Sequence, residues 1–164
     1  MSALTFTPMT DDAFALFWPT FQAIVAEQQT YAIDPNISYQ AAYTLWCEVP
    51  KATFAVKDAS GELVGSYYLK ANAAGPGDHV CNCGYMVTAA ARGKGVARAM
   101  CEHSQQLAQT LGFKAMQFNA VVSTNEVAVA LWQRLGFSIV GTVPNAYRHA
   151  TQGFVNTHIM HKLL

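Results

Sequence analysis

Between Ala13 and Glu27 the apolar residues Phe14, Phe17, Phe21, Ile24 and Val25 recur at three- and four-residue spacing. That period puts them on one face of an amphipathic helix. The segment Thr30 to Ser38 breaks the rhythm with Pro35 and several turn formers, and Ser38 stands where it can cap a second helix running to about Cys47. Two β-like runs follow, Thr53 to Val56 and Leu63 to Leu69. The polar turn Lys57 to Glu62 between them contains Gly61, so the pair predicts a hairpin.

Asn72 to Asp78 is rich in turn formers and reads as a loop between strands. After it the pattern predicts a strand over Val80 to Val87, a glycine loop, a helix over Gly95 to Leu111 and a strand over Lys114 to Val122. A helix over Asn125 to Leu135, a strand over Phe137 to Thr142 and a last strand over Phe154 to Lys162 complete the chain. Gly112 and Gly136 each follow a helical stretch where a left-handed cap is expected. Helices alternating with strands imply an α/β layer with some parallel pairing. No internal repeat or low-complexity tract is present.

Composition narrows the function. The 164 residues fit one domain spanning 1–164, 52% of them are apolar, and ten basic residues balance ten acidic ones. With no run of like charge there is no electrostatic footprint for nucleic acid or for an anionic membrane, which leaves small-molecule chemistry. The first apolar stretch follows Asp11 and Asp12 rather than basic residues, unlike a signal peptide. Nowhere do about 18 apolar residues run together, as a membrane span requires. A soluble, cytoplasmic protein is expected. Among the cysteines, Cys47, Cys81, Cys83 and Cys101, only Cys81 and Cys83 are close in sequence, and no further ligands stand at zinc spacing. Free, reduced thiols and no metal are therefore expected.

The segment richest in chemistry joins the strand ending at Val87 to the helix opening at Gly95, through Arg92-Gly93-Lys94-Gly95-Val96-Ala97-Arg98. A glycine turn of this kind aims several backbone N–H groups and a helix dipole at one point, which suits a pyrophosphate. Gly93 and Gly95 lack the Cβ that would block close approach, and Arg92, Lys94 and Arg98 add positive charge. A Walker loop needs Gly-Lys followed by Ser or Thr, whereas Gly95 follows Lys94. A dinucleotide fingerprint needs glycine where Arg98 stands and an acidic residue near Gln109 to Gly112, where none occurs. What remains is Arg92-x-x-Gly95-x-Ala97, with Asn125-x-x-Ala128, then Leu131-Trp132, then Gly136-Phe137 downstream. Asn125, Ala128 and Trp132 share a helix face.

These two motifs, in this order and joined by a helix and a strand, resemble those of the GNAT acetyltransferases from about Cys83 to Phe137. The resemblance implies a single-domain α/β GNAT fold: a central mixed, mostly antiparallel sheet with one splayed parallel pair, flanked by helices. It implies acetyl-CoA as co-substrate, held at Val87, Arg92 to Arg98, Asn125, Ala128 and Trp132, with a small-molecule amine as acceptor and a homodimer as assembly. More loosely, the loop with Thr30 and Tyr31, the helix ending at Trp46 and the segment Gly153 to Met160 are similar to the subgroup that acetylates amino-acid-like compounds such as phosphinothricin or azetidine carboxylate. Those relatives often carry aspartate where this chain has Asn156.

In such a fold the Val87 N–H faces the thioester carbonyl and stabilises the developing oxyanion. The tyrosine that serves the family as acid is replaced by Trp132, whose indole has no proton to give near neutral pH. Another group or water must serve in its place, and Tyr85 is one candidate donor. Asn119, polar within the run Met116 to Val122, is expected in the splayed gap or the core, orienting substrate. Thr30, Tyr31 and Asn156 complete the candidate substrate contacts. His158 and His161, three apart on a strand, face opposite ways and read as exposed or core residues, whereas His149 belongs to a loop, solvated or beside the acceptor. Two further readings stand beside transfer: a non-catalytic coenzyme-A-binding sensor, favoured by Trp132, and an NAD- or nucleotide-dependent enzyme, disfavoured by the failed fingerprints.

Overall fold

Thr10 opens the first helix, α1 (Asp11–Glu27), by accepting the Ala13 N–H on its hydroxyl at 3.1 Å. The computed structural model describes residues 3–164. Pro19 lies inside α1 without ending it, because the carbonyl deprived of its bond, that of Ala15, belongs to an exposed residue and stays solvated. Gln28 then turns the chain with φ at +51°. Ser38 caps α2 (Tyr39–Tyr43) through the Ala41 N–H, and the helix continues as a π-type turn over Thr44–Glu48. The expected second helix is therefore present, but its latter half is wound more loosely. That turn places Trp46 in the core, where its indole N–H donates to Ser66 Oγ at 2.9 Å, both side chains being fully buried.

The sheet has seven strands: β1 (Thr5–Pro8), β2 (Ala52–Lys57), β3 (Leu63–Ala71), β4 (Val80–Val87), β5 (Ala115–Val122), β6 (Ser138–His149) and β7 (Gly153–Leu163). Their spatial order is β1-β2-β3-β4-β5-β7-β6, every pair antiparallel except β4 with β5. With α3 (Val96–Thr110) and α4 (Glu126–Arg134) this is the expected mixed α/β architecture. Strand β1 was not anticipated, since four residues carry too short an alternation to register. Strand β6 also runs on to His149 through Pro144 to Arg148, a stretch read as a loop; bulges at Val140 and before Tyr147 absorb the extra residues, Asn145 having φ at +51°.

Two apolar clusters cover the two faces of the sheet. One joins α3 and α4 to Cys83, Phe118, Trp132 and Met160, and the other joins α1 and Trp46 to Met86. Successive β4 residues thus serve opposite cores, as strand alternation requires. The four cysteines are free, and no helix of the described residues is long and apolar enough to cross a membrane.

The short edge strand β1 is held partly by Phe6, which stacks on His103 of α3 at 4.1 Å between ring centroids, while the Tyr67 hydroxyl lies 2.6 Å from His103 Nδ1. Burial holds the His103 pKa below its ordinary 6.5. Because the folded value lies below the unfolded one, the unfolded chain binds more protons as pH falls through about 6.5, and stability is lost there while remaining full above it. Urea midpoints followed from pH 8 to pH 5 should therefore fall more steeply for the parent protein than for His103→Gln; parallel curves would exclude the linkage.

Candidate active site

The β4–β5 ladder is confined to two pairs, Val80 with Ala115 and Cys81 with Met116. Beyond them the strands part, and β5 carries a bulge between Phe118 and Val121 that swings it away. The parity of β4 decides what faces the opening. Asn72 N–H bonds to Val80 C=O and Thr88 N–H to Val64 C=O, so even-numbered residues of β4 bond to β3. The backbone groups of Tyr85 and Val87 consequently point into the gap, at an edge without a strand partner.

At the open end of the gap the chain makes a 3₁₀ turn (Ala89–Ala91) and then enters α3. Gly93 and Gly95 hold φ at +75° and +81°, a conformation that favours glycine. Helix α3 has no side-chain cap, and its first backbone bond runs from Ala99 N–H to Gly95 C=O. The N–H groups of Val96, Ala97 and Arg98 therefore project from the helix start with no partner in the helix, the arrangement that receives an anion. Arg92 pairs with Glu27 at 3.5 Å and Arg98 with Glu102 at 2.9 Å, both solvated contacts that an anionic ligand can displace at little cost. Lys94 is exposed beside them.

Helix α4 starts at Asn125, whose side-chain oxygen caps the Ala128 N–H at 3.3 Å. The Asn125 oxygen thus serves the helix, while its NH2 stays free to donate to another partner. Trp132, two helical turns beyond Asn125, is 8% exposed. Its ring centroid lies 5.2 Å from that of Tyr85 on β4 and 5.2 Å from that of Phe118 on β5, so it bridges the parted strands from the α3–α4 face. The contact seen for Trp132 is aromatic core rather than an open wall.

Tyr85 does not fit the role of proton donor. Its hydroxyl donates to Ser104 Oγ at 2.7 Å, and Ser104 in turn donates to the Cys101 carbonyl at 2.8 Å. Burial pushes the phenol well above its usual range, so the proton is held firmly and on the α3 side, away from the gap. Ser104, fully buried, is a partner the sequence did not suggest.

Asn119 is neither in the core nor enclosed in the gap. It is exposed beside the β5 bulge, where it donates to Asn72 Oδ1 at 2.7 Å and accepts from Gln117 Nε2 at 3.1 Å. Asn82 donates to the Gln117 carbonyl and accepts from the Tyr68 hydroxyl, which extends an uncharged polar cluster across the α1–α2 face. Asn156 is likewise exposed; its side-chain oxygen accepts the Asn145 N–H at 3.1 Å and its carbonyl accepts the Ser123 N–H. Its visible task is to hold the β6 bulge. His149 is buried rather than solvated, its Nδ1 accepting the N–H groups of Thr151 and Gln152 to shape the β6–β7 turn.

Tyr31 enters the gap from the α1–α2 face. Its hydroxyl donates to the Tyr85 carbonyl at 2.5 Å and accepts the Tyr85 N–H at 2.8 Å, replacing the missing ladder partner. The Tyr31 carbonyl accepts from the Tyr147 hydroxyl at 3.0 Å, and the Gln28 carbonyl accepts from Ala150 N–H, so the loop carrying Thr30 and Tyr31 is tied to the β6–β7 hairpin. Tyr147 was missed because it lies in the stretch read as a loop. The structure thus brings Tyr31, Val87 and the loop Arg92 to Arg98 to one gap, with Trp132 behind it, and leaves Asn119 and Asn156 in solvent-facing polar contacts.

Several known proteins are similar to this chain. A GCN5-related N-acetyltransferase from Kribbella flavida superimposes with a TM-score of 0.93 at 45% identity, over 99% of this chain and 98% of that one. A GNAT superfamily phosphinothricin acetyltransferase from Sinorhizobium meliloti, solved in complex with AcCoA, gives a TM-score of 0.87 over 100% of this chain and 89% of its own, but at 17% identity the likeness is one of fold. The N-acetyltransferase aca1 of Schizosaccharomyces pombe is 31% identical over 147 residues, 80% of this chain and 70% of that protein. Residues 10–137 match the model of the acetyltransferase (GNAT) family, from the cap of α1 to the end of the α4 motif, and the chain belongs to that family.

Proposed function

We propose that this acetyltransferase transfers the acetyl group of acetyl-CoA to the amine of a small molecule, an amino acid or a close analogue, by direct attack while both substrates are bound. The observation that carries the reading is the line formed by the uncapped start of α3, the gap-facing N–H of Val87 and the parted strands. The residues present suit the co-substrate: three free N–H groups and two positive-φ glycines for a pyrophosphate, then the gap-facing backbone groups of Val87, which Tyr31 does not claim, for the arm and its thioester. Acetyl-CoA, when bound, supplies an activated thioester.

The chain's own part is positioning and charge stabilisation. The N–H groups of Val96 to Arg98 hold the pyrophosphate, and the Val87 N–H meets the thioester oxygen, gaining strength as negative charge develops on it. The acceptor reaches the carbonyl from the α1–α2 face, where the uncharged cluster of Tyr68, Asn82, Gln117 and Asn119 supports a small polar acceptor over a polycation. The amine nitrogen bonds to the carbonyl carbon, the C–S bond breaks and coenzyme A leaves as its thiolate; with Trp132 unable to ionise and Tyr85 committed to Ser104, the proton released by the amine passes to water. Amino acids, lysine-rich peptides and aminoglycosides should be compared for coenzyme A thiol release; fastest turnover on a peptide or an aminoglycoside would reject the small-amine assignment.

Asn119 keeps an orienting role in this reading, moderated by its exposure. An exposed hydrogen bond contributes about 0.5–1.5 kcal/mol, so Asn119→Ala should raise the acceptor KM by roughly two- to tenfold. The KM for acetyl-CoA should stay unchanged, and an effect confined to acetyl-CoA would remove Asn119 from the acceptor side.

A further inference from the structure

Tyr31 stands at a point of the gap where it bears on the acyl group rather than on the amine. Along β4 the order is fixed: the pyrophosphate loop follows the C-terminal end, Val87 comes next inside the gap, Tyr85 lies one gap-facing position deeper, and the strands close at Cys81 and Met116. Any acyl chain whose carbonyl is held at Val87, attached to a carrier entering from the loop, extends toward Tyr85. There it meets the Tyr31 hydroxyl, fixed by two bonds to the Tyr85 backbone. On the opposite face Trp132 bridges Tyr85 and Phe118 and closes the sideways exit.

We propose that Tyr31 is the residue that sets acyl-chain length, restricting the donor to acetyl- and propionyl-coenzyme A. The inference rests on the reading that Val87 holds the thioester. Alternate residues of a strand are about 7 Å apart, and a carbon atom stops about 3.5 Å from the hydroxyl it meets, which leaves about 3.5 Å beyond the carbonyl carbon. The acetyl methyl takes about 1.5 Å of this and each further methylene slightly less, so propionyl fits and butyryl does not. The stop is stiff. Tyr31 is tied through its ring to Trp46, with centroids 6.2 Å apart, and through its carbonyl to the buried Tyr147.

The test is the ratio of kcat/KM for longer acyl donors to that for acetyl-CoA, measured with one amine. Tyr31→Phe keeps the ring and removes the oxygen, so the butyryl-to-acetyl ratio should rise; Tyr31→Ala should extend the gain to hexanoyl. One methylene in a fitted pocket is worth roughly tenfold or more, which sets the size of the expected change. A purely structural Tyr31 would depress every donor alike and leave the ratios where they were. Ratios within twofold of the parent, in variants with native circular dichroism, overturn the inference while acetyl transfer by the parent upholds the reading beneath it. A parent protein that neither binds acetyl-CoA in calorimetric titration nor releases thiol overturns both. Should Tyr31→Ala fail to fold, the ratio in Tyr31→Phe decides.

Discussion

Gly95→Val should lower the affinity for acetyl-CoA by roughly a hundredfold while leaving a folded protein. Gly95 is the left-handed residue, φ at +81°, from which α3 departs, and the three N–H groups beyond it have no helix partner. A valine there acts twice. Its Cβ sits against the left-handed backbone at a cost of about 1–2 kcal/mol, which is modest beside the 5–15 kcal/mol that holds a domain together. Its branched side chain also occupies the space an incoming phosphate must use, and losing even two charge-assisted bonds costs about 3 kcal/mol, the hundredfold expected. Strain and obstruction are separable with Gly61→Val, because Gly61 has φ at +84°, no atom within 4 Å of an added Cβ, and a place in the β2–β3 turn away from the gap. Titration calorimetry with acetyl-CoA should show weakened binding for Gly95→Val alone. Equal binding by both variants would mean that the anion is held elsewhere.

What the sequence disclosed about this site depended on whether a feature is local. The start of α3 at Gly95 and the turns at Gly112 and Gly136 are governed by residues adjacent in the chain, and their positive φ values follow from residue type. The strand limits Val80–Val87 were equally readable, because a β-like run with one polar residue, Asn82, leads into a glycine loop. Side-chain direction was harder to read. Asn119 was expected inside because it interrupts apolar neighbours, yet a bulge interrupts the β5 ladder there and leaves it in solvent. Tyr85 is a candidate proton donor on sequence grounds because Trp132 stands in the place of the family's tyrosine, but parity along one strand does not say which helix covers a face, and the partner that claims its hydroxyl lies 19 residues away on α3. The same holds for Tyr31. The resemblance of its loop to the amino-acid-acetylating subgroup implies a substrate contact, whereas the bonds that define it span 54 residues to Tyr85 and, through its carbonyl, 116 residues to Tyr147. Pairings of that range are products of tertiary packing, and no local pattern encodes them.

Trp132→Ala should be the most damaging of the single substitutions in the aromatic wall, and Trp132→Phe among the mildest. The indole is 8% exposed and contacts Tyr85 and Phe118 on the two strands that part around the gap, so it supports the spacing of β4 and β5 as well as filling the core. Removing a large aromatic side chain from a core costs about 3–5 kcal/mol, enough to lower the melting temperature by about 6–20 °C, at roughly 2–4 °C per kcal/mol for a chain near this size. Activity should fall with it, because a collapsed gap misplaces the Val87 N–H, and a misplacement of about 1 Å is sufficient to lose two orders of magnitude in rate. Phenylalanine keeps a ring between Tyr85 and Phe118. It gives up the indole N–H, but that group makes no hydrogen bond among the described residues and is not sealed from solvent, so little is lost with it. Trp132→Phe should therefore retain acetyl transfer within about tenfold of the parent at saturating acetyl-CoA, a limit equivalent to about 1.4 kcal/mol in the barrier. If Trp132→Phe is inactive though its circular dichroism and melting match the parent, the indole N–H takes part in the chemical step, and the proton path through water alone must be replaced by one that includes it.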